Sequence, residues 1–93
     1  MSSYEYDRLM SYGQSYESRG DSYAASRCYL EAKSCYFDAA HFYDDAANVA
    51  YKENDMSDYY AAQSKSRNAT GKARDMSYEY DRACREYGKT YED

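Results

Sequence analysis

No proline interrupts this chain of 93 residues, and its apolar residues recur at intervals of three and four. Together these two facts leave little for it to fold into besides α-helix, because proline is the residue that most sharply breaks helices and the 3–4 interval is the helical period. Tyrosine is abundant enough to suggest strands, but the alternation a half-buried strand requires is poor. The expected class is all-α, in a single helical domain near the lower size limit for one self-sufficient core.

The core must be unusual. Leu9, Leu30 and Val49 are the aliphatic residues beyond alanine, so apolar volume has to come from 15 tyrosines, 2 phenylalanines, 4 methionines and the alanines. A buried tyrosine needs an outlet for its hydroxyl, which places these rings at the core edge with the oxygen reaching water or a carboxylate.

Gly13, Gly20, Gly71 and Gly88 are the main punctuation. They divide the chain into four or five short antiparallel helices. The first is expected from Ser2 or Ser3, where a serine cap precedes Glu5, to about Arg19. Gly20 then supplies a turn residue able to take positive φ. The second begins after Asp21 or Ser22, with Ala25, Cys28, Tyr29, Ala32, Cys35 and Tyr36 on one face. Residues 21–54 could form one helix. A break near Phe37 and Asp38 is preferred because some thirty residues is long for a small domain. The third helix would bury Ala39, Tyr43, Ala46, Ala47 and Ala50 and stop at Asn54-Asp55. A weak fourth runs from about Ser57 to Ala69 and ends at Gly71. The fifth, from about Ala73 to Tyr91, carries Met76, Tyr80, Ala83, Tyr87 and Tyr91.

The chain also repeats itself. Ser3-Tyr4-Glu5-Tyr6-Asp7-Arg8 recurs identically as Ser77-Tyr78-Glu79-Tyr80-Asp81-Arg82, and the Tyr-Gly-x-x-Tyr-Glu of residues 12–17 recurs at 87–92. The first and last helices are expected to play equivalent roles.

Leu9, Tyr12-Gly13-x-x-Tyr16, Gly20-Asp21, and Ala25-x-x-x-Tyr29 with Ala32 fall in an order that resembles the tetratricopeptide repeat, a 34-residue pair of antiparallel helices. About residues 6–39 form the matching unit; the next keeps the first-helix sizes and the turn at Asn54-Asp55 but not the second-helix pattern, and the closing proline is missing. The resemblance implies a concave groove for a peptide or partner helix, lined by Asp7, Met10, Gln14 and Glu17 from the first helix and His41, Asp44, Asn48 and Tyr51 from the third. Met10 and Gln14 replace the Lys and Asn with which some members clamp a carboxylate, so a polar or basic segment suits this groove better.

Charge separates the partner classes. Residues 1–64 hold eleven acids against five bases, residues 65–93 six against seven, and the net charge is −5. The acidic balance disfavours nucleic acid, although Lys65, Arg67, Lys72 and Arg74 form a local basic run. His41, Asp44 and Asp45 share a helical face but lack the further histidine or carboxylate that a metal site takes from another helix, so no metal or cofactor is expected. Cys28, Cys35 and Cys84 read as structural thiols on core stripes, reduced in a cytoplasmic protein. No Gly-rich phosphate loop or serine elbow is present, no signal core is evident, and no apolar run approaches the ~20 residues that cross a bilayer. The expectation is a non-enzymatic protein-binding module, with self-association open and a small acidic inhibitor that blocks a partner's active or nucleic-acid site as the alternative.

Overall fold

The computed structural model describes residues 3–92, and the side chains of residues 3–87. It contains three helices: α1 over Tyr4–Ala25, α2 over Tyr29–Lys52 and α3 over Met56–Glu92. The class is all-α as expected, but the predicted four or five short helices merge into three long ones. The turn expected at Gly20, the break at Phe37-Asp38 and the stop at Gly71 are all absent, each residue lying inside a helix. The boundaries that the tetratricopeptide resemblance implied are therefore not those of the fold.

The two turns are built alike. Arg27 (φ 63°) and Asn54 (φ 60°) adopt the left-handed conformation directly after α1 and α2. The Arg27 amide donates to Ala24 O at 3.0 Å and the Cys28 amide to Tyr23 O at 2.8 Å; the Asn54 and Asp55 amides donate to Tyr51 O and Ala50 O at 3.0 and 2.9 Å. This is the Schellman closure, which satisfies the carbonyls a helix end leaves open. Asn54 was legible in advance because asparagine tolerates positive φ. Arg27 was not, because arginine has no such preference. At the helix starts, Ser3 Oγ accepts the Tyr6 amide at 3.1 Å and Asp55 Oδ1 accepts the Asp58 amide at 3.1 Å. Ser2, the other expected cap, lies outside the described residues.

Gly20 stays helical for a packing reason. A Cβ at Gly20 would lie 2.6 Å from the Tyr36 ring, and one at Gly13 would lie 2.5 Å from the Tyr43 ring. Only a bare backbone lets these rings lie flat on α1. Gly13 against Tyr43 and Gly20 against Tyr36 also establish that α1 and α2 run antiparallel. At the far end the size order reverses, with Tyr6 of α1 entering a cluster of Ala46, Ala47, Ala50 and Ala62.

The α2–α3 seam is made of alanine. Ala46, Ala47 and Ala50 meet Ala62; Ala39, Ala40 and Tyr43 meet Ala69; and Ala32 and Tyr36 meet Ala73. Rising numbers on α3 meet falling numbers on α2, so this pair is antiparallel too. The third-helix face expected to be buried, Ala39, Tyr43, Ala46, Ala47 and Ala50, is buried throughout. The stripe drawn through Ala25 and the cysteines is corrected: Ala25 is exposed, Cys28 precedes α2 and is half-buried, Cys35 is half-buried and Cys84 is exposed. α2 is central, with α1 and α3 both packed on it and touching each other little. The result is a thin rod with principal extents of 60 × 17 × 13 Å.

Candidate functional site

One polar network staples α1 to α3 across the edge of this rod. Tyr43 donates to Glu17 Oε1 at 2.7 Å and Tyr36 to Asp21 Oδ1 at 2.5 Å. Lys72 Nζ lies 2.7 Å from Glu17 Oε2 and 3.2 Å from Asp21 Oδ1. Burial alone would raise the Glu17 carboxyl, but the hydrogen bonds from Lys72 and Tyr43 together outweigh it and hold the pKa below its ordinary value of 4.5. Burial and the hydrogen-bonded carboxylates push both Tyr36 and Tyr43 well above the ordinary tyrosine range. The tyrosine hydroxyls thus find the carboxylate outlets that a tyrosine core demands.

Glu17, expected in the partner-binding set, is half-buried and engaged in this network. Met10, from the same set, packs half-buried against the Tyr6 and Tyr43 clusters. Asp7 and Gln14 are exposed, Gln14 beside Ser11, Ser15, Ser18 and Arg19 in a shallow polar depression. His41, Asp44, Asn48 and Tyr51 are exposed along α2, on the side turned away from the Tyr36 and Tyr43 face that meets α1. The Tyr51 ring packs tilted, at 56°, against Tyr59 of α3, with centroids 5.5 Å apart. Of the predicted residues, Met10 and Glu17 are thus half-buried in contacts within the bundle, while Asp7 and Gln14 on α1 and His41, Asp44, Asn48 and Tyr51 on α2 are exposed.

Other sequence candidates also find structural places. Lys72, part of the basic run, is turned into the staple, while Lys65, Arg67 and Arg74 stay exposed. Burial, with Asp38 nearby, pushes the Cys35 thiol up, which makes it a poorer nucleophile. Among the described residues, no group of three or more His, Cys, Asp and Glu side chains could hold a metal ion, and no helix is long and apolar enough to cross a membrane. On the outer side of α1 and α2, Phe42 packs 5.4 Å from both Tyr12 and Tyr16, with Arg19 5.0 Å above the Tyr16 ring.

The stripe of Met76, Tyr80, Ala83 and Tyr87 was expected on a separate fifth helix; what sequence reasoning missed is that it continues the stripe of the preceding helix in one α3 that outruns α2. Tyr59, Ala62, Ser66, Ala69, Ala73, Met76, Tyr80, Ala83 and Tyr87 alternate at intervals of three and four without a slip, passing over Gly71. Ala62, Ser66, Ala69 and Ala73 are buried and Met76 is half-buried. α3 has 37 residues against 24 in α2, an excess of about 20 Å of helix. Continuing the α2–α3 register brings Tyr29, the first residue of α2, level with Tyr80. Beyond that point the same stripe runs on without α2 beside it, and Tyr80 and Tyr87 are 39% and 64% exposed.

The overhang and the α1–α2 turn enclose an open-sided cavity of about 760 Å³. Arg27 and Tyr29 form its floor, and Tyr80, Ala83, Cys84 and Tyr87 line its wall. Arg82 is neutralised within the helix, 3.8 Å from Glu79 and 3.3 Å from Glu86. The Tyr91 side chain, expected on the same stripe, lies outside the described residues. The cavity thus lies along α3 where the path of α2 would continue, with the apolar stripe open to it. Comparison with protein-family models, with curated proteins and with solved structures finds no match.

Proposed function

We propose that this chain is a non-enzymatic protein-binding module that receives a helix of its partner along the α3 overhang. One observation carries the reading: a core stripe that is buried or half-buried through Met76 emerges beyond Tyr29 with its period unchanged, presenting Tyr80 and Ala83 to solvent. A helical face of this type buries itself against another helix, and side chains three and four apart form the ridges and grooves that such packing uses. Tyrosine adds rigid contact area with a polar end, which favours recognition over indiscriminate aggregation.

A labelled peptide spanning Tyr29–Lys52 tests the reading, because it carries the alanine and tyrosine face that α3 already packs against within the bundle. Fluorescence anisotropy should report binding to the wild-type chain and its loss with Ala83→Glu. Binding that ignores Ala83→Glu, or no binding by either protein, would overturn it.

A further inference from the structure

We infer that the helix received at the overhang is the overhang of a second copy of this chain, the two lying antiparallel and each completing the cavity of the other. The inference rests on the helix-binding reading and names its occupant. An isologous interface must be self-complementary, with residue i of one copy meeting residue j of the other and the reverse. The overhang stripe offers such a pair, a small Ala83 one turn from a large Tyr87.

Tyr29, level with Tyr80, blocks a second helix from sliding further towards the bundle. The pairing is therefore centred C-terminal to Tyr80, with Ala83 of one copy opposite Tyr87 of the other and the reverse. Tyrosine on a small residue is the layer this fold already uses. Tyr6 packs among Ala46, Ala47, Ala50 and Ala62, Tyr43 on Gly13 and Ala69, and Tyr36 on Gly20 and Ala73.

Charge also selects this region for self-contact. The chain as a whole is at −5, and its first two thirds carry the excess. From Tyr80 to Glu92, Asp81, Glu86 and Glu92 stand against Arg82, Arg85 and Lys89, so the overhang carries no net charge, whereas α1 and α2 each hold four acids against two bases. Two copies can approach here without the repulsion that opposes contact through α1 or α2. Two overhangs of this length bury less than the roughly 1,200 Å² of a standard specific interface, so the dimer is concentration-dependent, with Kd on the order of micromolar or weaker.

Sedimentation equilibrium from about 10 μM to about 1 mM covers that range. The wild-type mass should climb towards that of two chains. Ala83→Glu should weaken dimerisation at least about tenfold while leaving the urea midpoint unchanged, since Ala83 is exposed. The double variant Tyr80→Ala, Tyr87→Ala should act in the same direction. Tyr60→Glu, at an exposed site near the opposite end of the rod, should dimerise like wild type. A wild-type chain that stays monomeric throughout overturns the second copy as occupant, and the peptide titration then decides the helix-binding reading alone. A dimer that survives Ala83→Glu and is lost in Tyr60→Glu overturns the pairing and removes the overhang as the association site.

Discussion

The same six residues, Ser-Tyr-Glu-Tyr-Asp-Arg, begin α1 and lie at the root of the α3 overhang, and the structure treats them differently. In α1, Tyr6 is 6% exposed among alanines of α2 and α3, and its hydroxyl donates to Asp58 O at 3.2 Å. In α3, the matching Tyr80 faces an open cavity beside Tyr29. The flanking tyrosines, Tyr4 and Tyr78, are exposed in both copies. Local sequence therefore makes a helix with one tyrosine ready to dock. Whether it docks depends on an alanine seam being alongside, and α2 supplies that seam only as far as Tyr29.

The sharpest test is to remove the docking ring from each copy. Tyr6→Ala should cost about 3–5 kcal/mol of stability by urea denaturation, the usual range for emptying a buried aromatic site. Tyr80→Ala should stay within about 0.5 kcal/mol for the monomer. Equal effects would mean that the two copies are not distinguished by burial.

The docked copy also depends on α1 lying close to α2. Gly13→Ala should destabilise by about 1–3 kcal/mol, because a methyl 2.5 Å from the hydrogen-bonded Tyr43 ring overpacks the seam by more than the helical preference of alanine recovers. The variant should leave any association through the overhang intact once folded.

A smaller effect is expected at the staple. Lys72→Met should cost roughly 1 kcal/mol at neutral pH, modest because Lys72 and Asp21 are partly solvated. The sign of its pH dependence follows from Glu17. A carboxyl held below its ordinary pKa contributes stability above pH 4.5 and loses it as the pH falls through the lower, folded value. Burial would lower the Lys72 pKa, but its hydrogen bonds to Glu17 and Asp21 raise it above 10.5, so its contribution is lost only in strong alkali. The gap between wild type and Lys72→Met should be flat across neutral pH and should narrow below pH 4.5. A gap that widens in acid would sink this account of the staple.

Smallest is Gly71→Ala, in the helix that carries the undocked copy. A Cβ there meets nothing within 4 Å, so the change should stabilise the chain by up to about 1 kcal/mol through helix propensity. Nothing in the structure explains a glycine at this position. Gly13 and Gly71 thus predict opposite signs for the same substitution.

The glycines also show why the helix count was misread. Glycine is a helix terminator by default, and Gly20 followed by Asp21 resembles a turn. Its role becomes visible only when Tyr36, sixteen residues away in sequence, is seen lying on it. The turn three-dimensional packing does select is at Arg27, where no local preference marks it. By contrast, the buried face of α2 was legible, because its alanines and Tyr43 recur at the helical period and each meets a neighbour. The groove drawn from Asp7, Met10, Gln14, Glu17, His41, Asp44, Asn48 and Tyr51 assumed helices ending at Gly20 and Phe37. Without those breaks, Met10 and Glu17 are half-buried in contacts within the bundle.

Helical class, a serine cap ahead of Glu5, the stop at Asn54 and the alanine faces follow from residue type and spacing alone, since each arises from interactions within a few residues. Where α1 turns, which glycines receive a ring, and which copy of the repeated segment is left facing a cavity depend on the relative lengths and register of α2 and α3. Those are contacts between residues far apart in the chain, and no local preference encodes them.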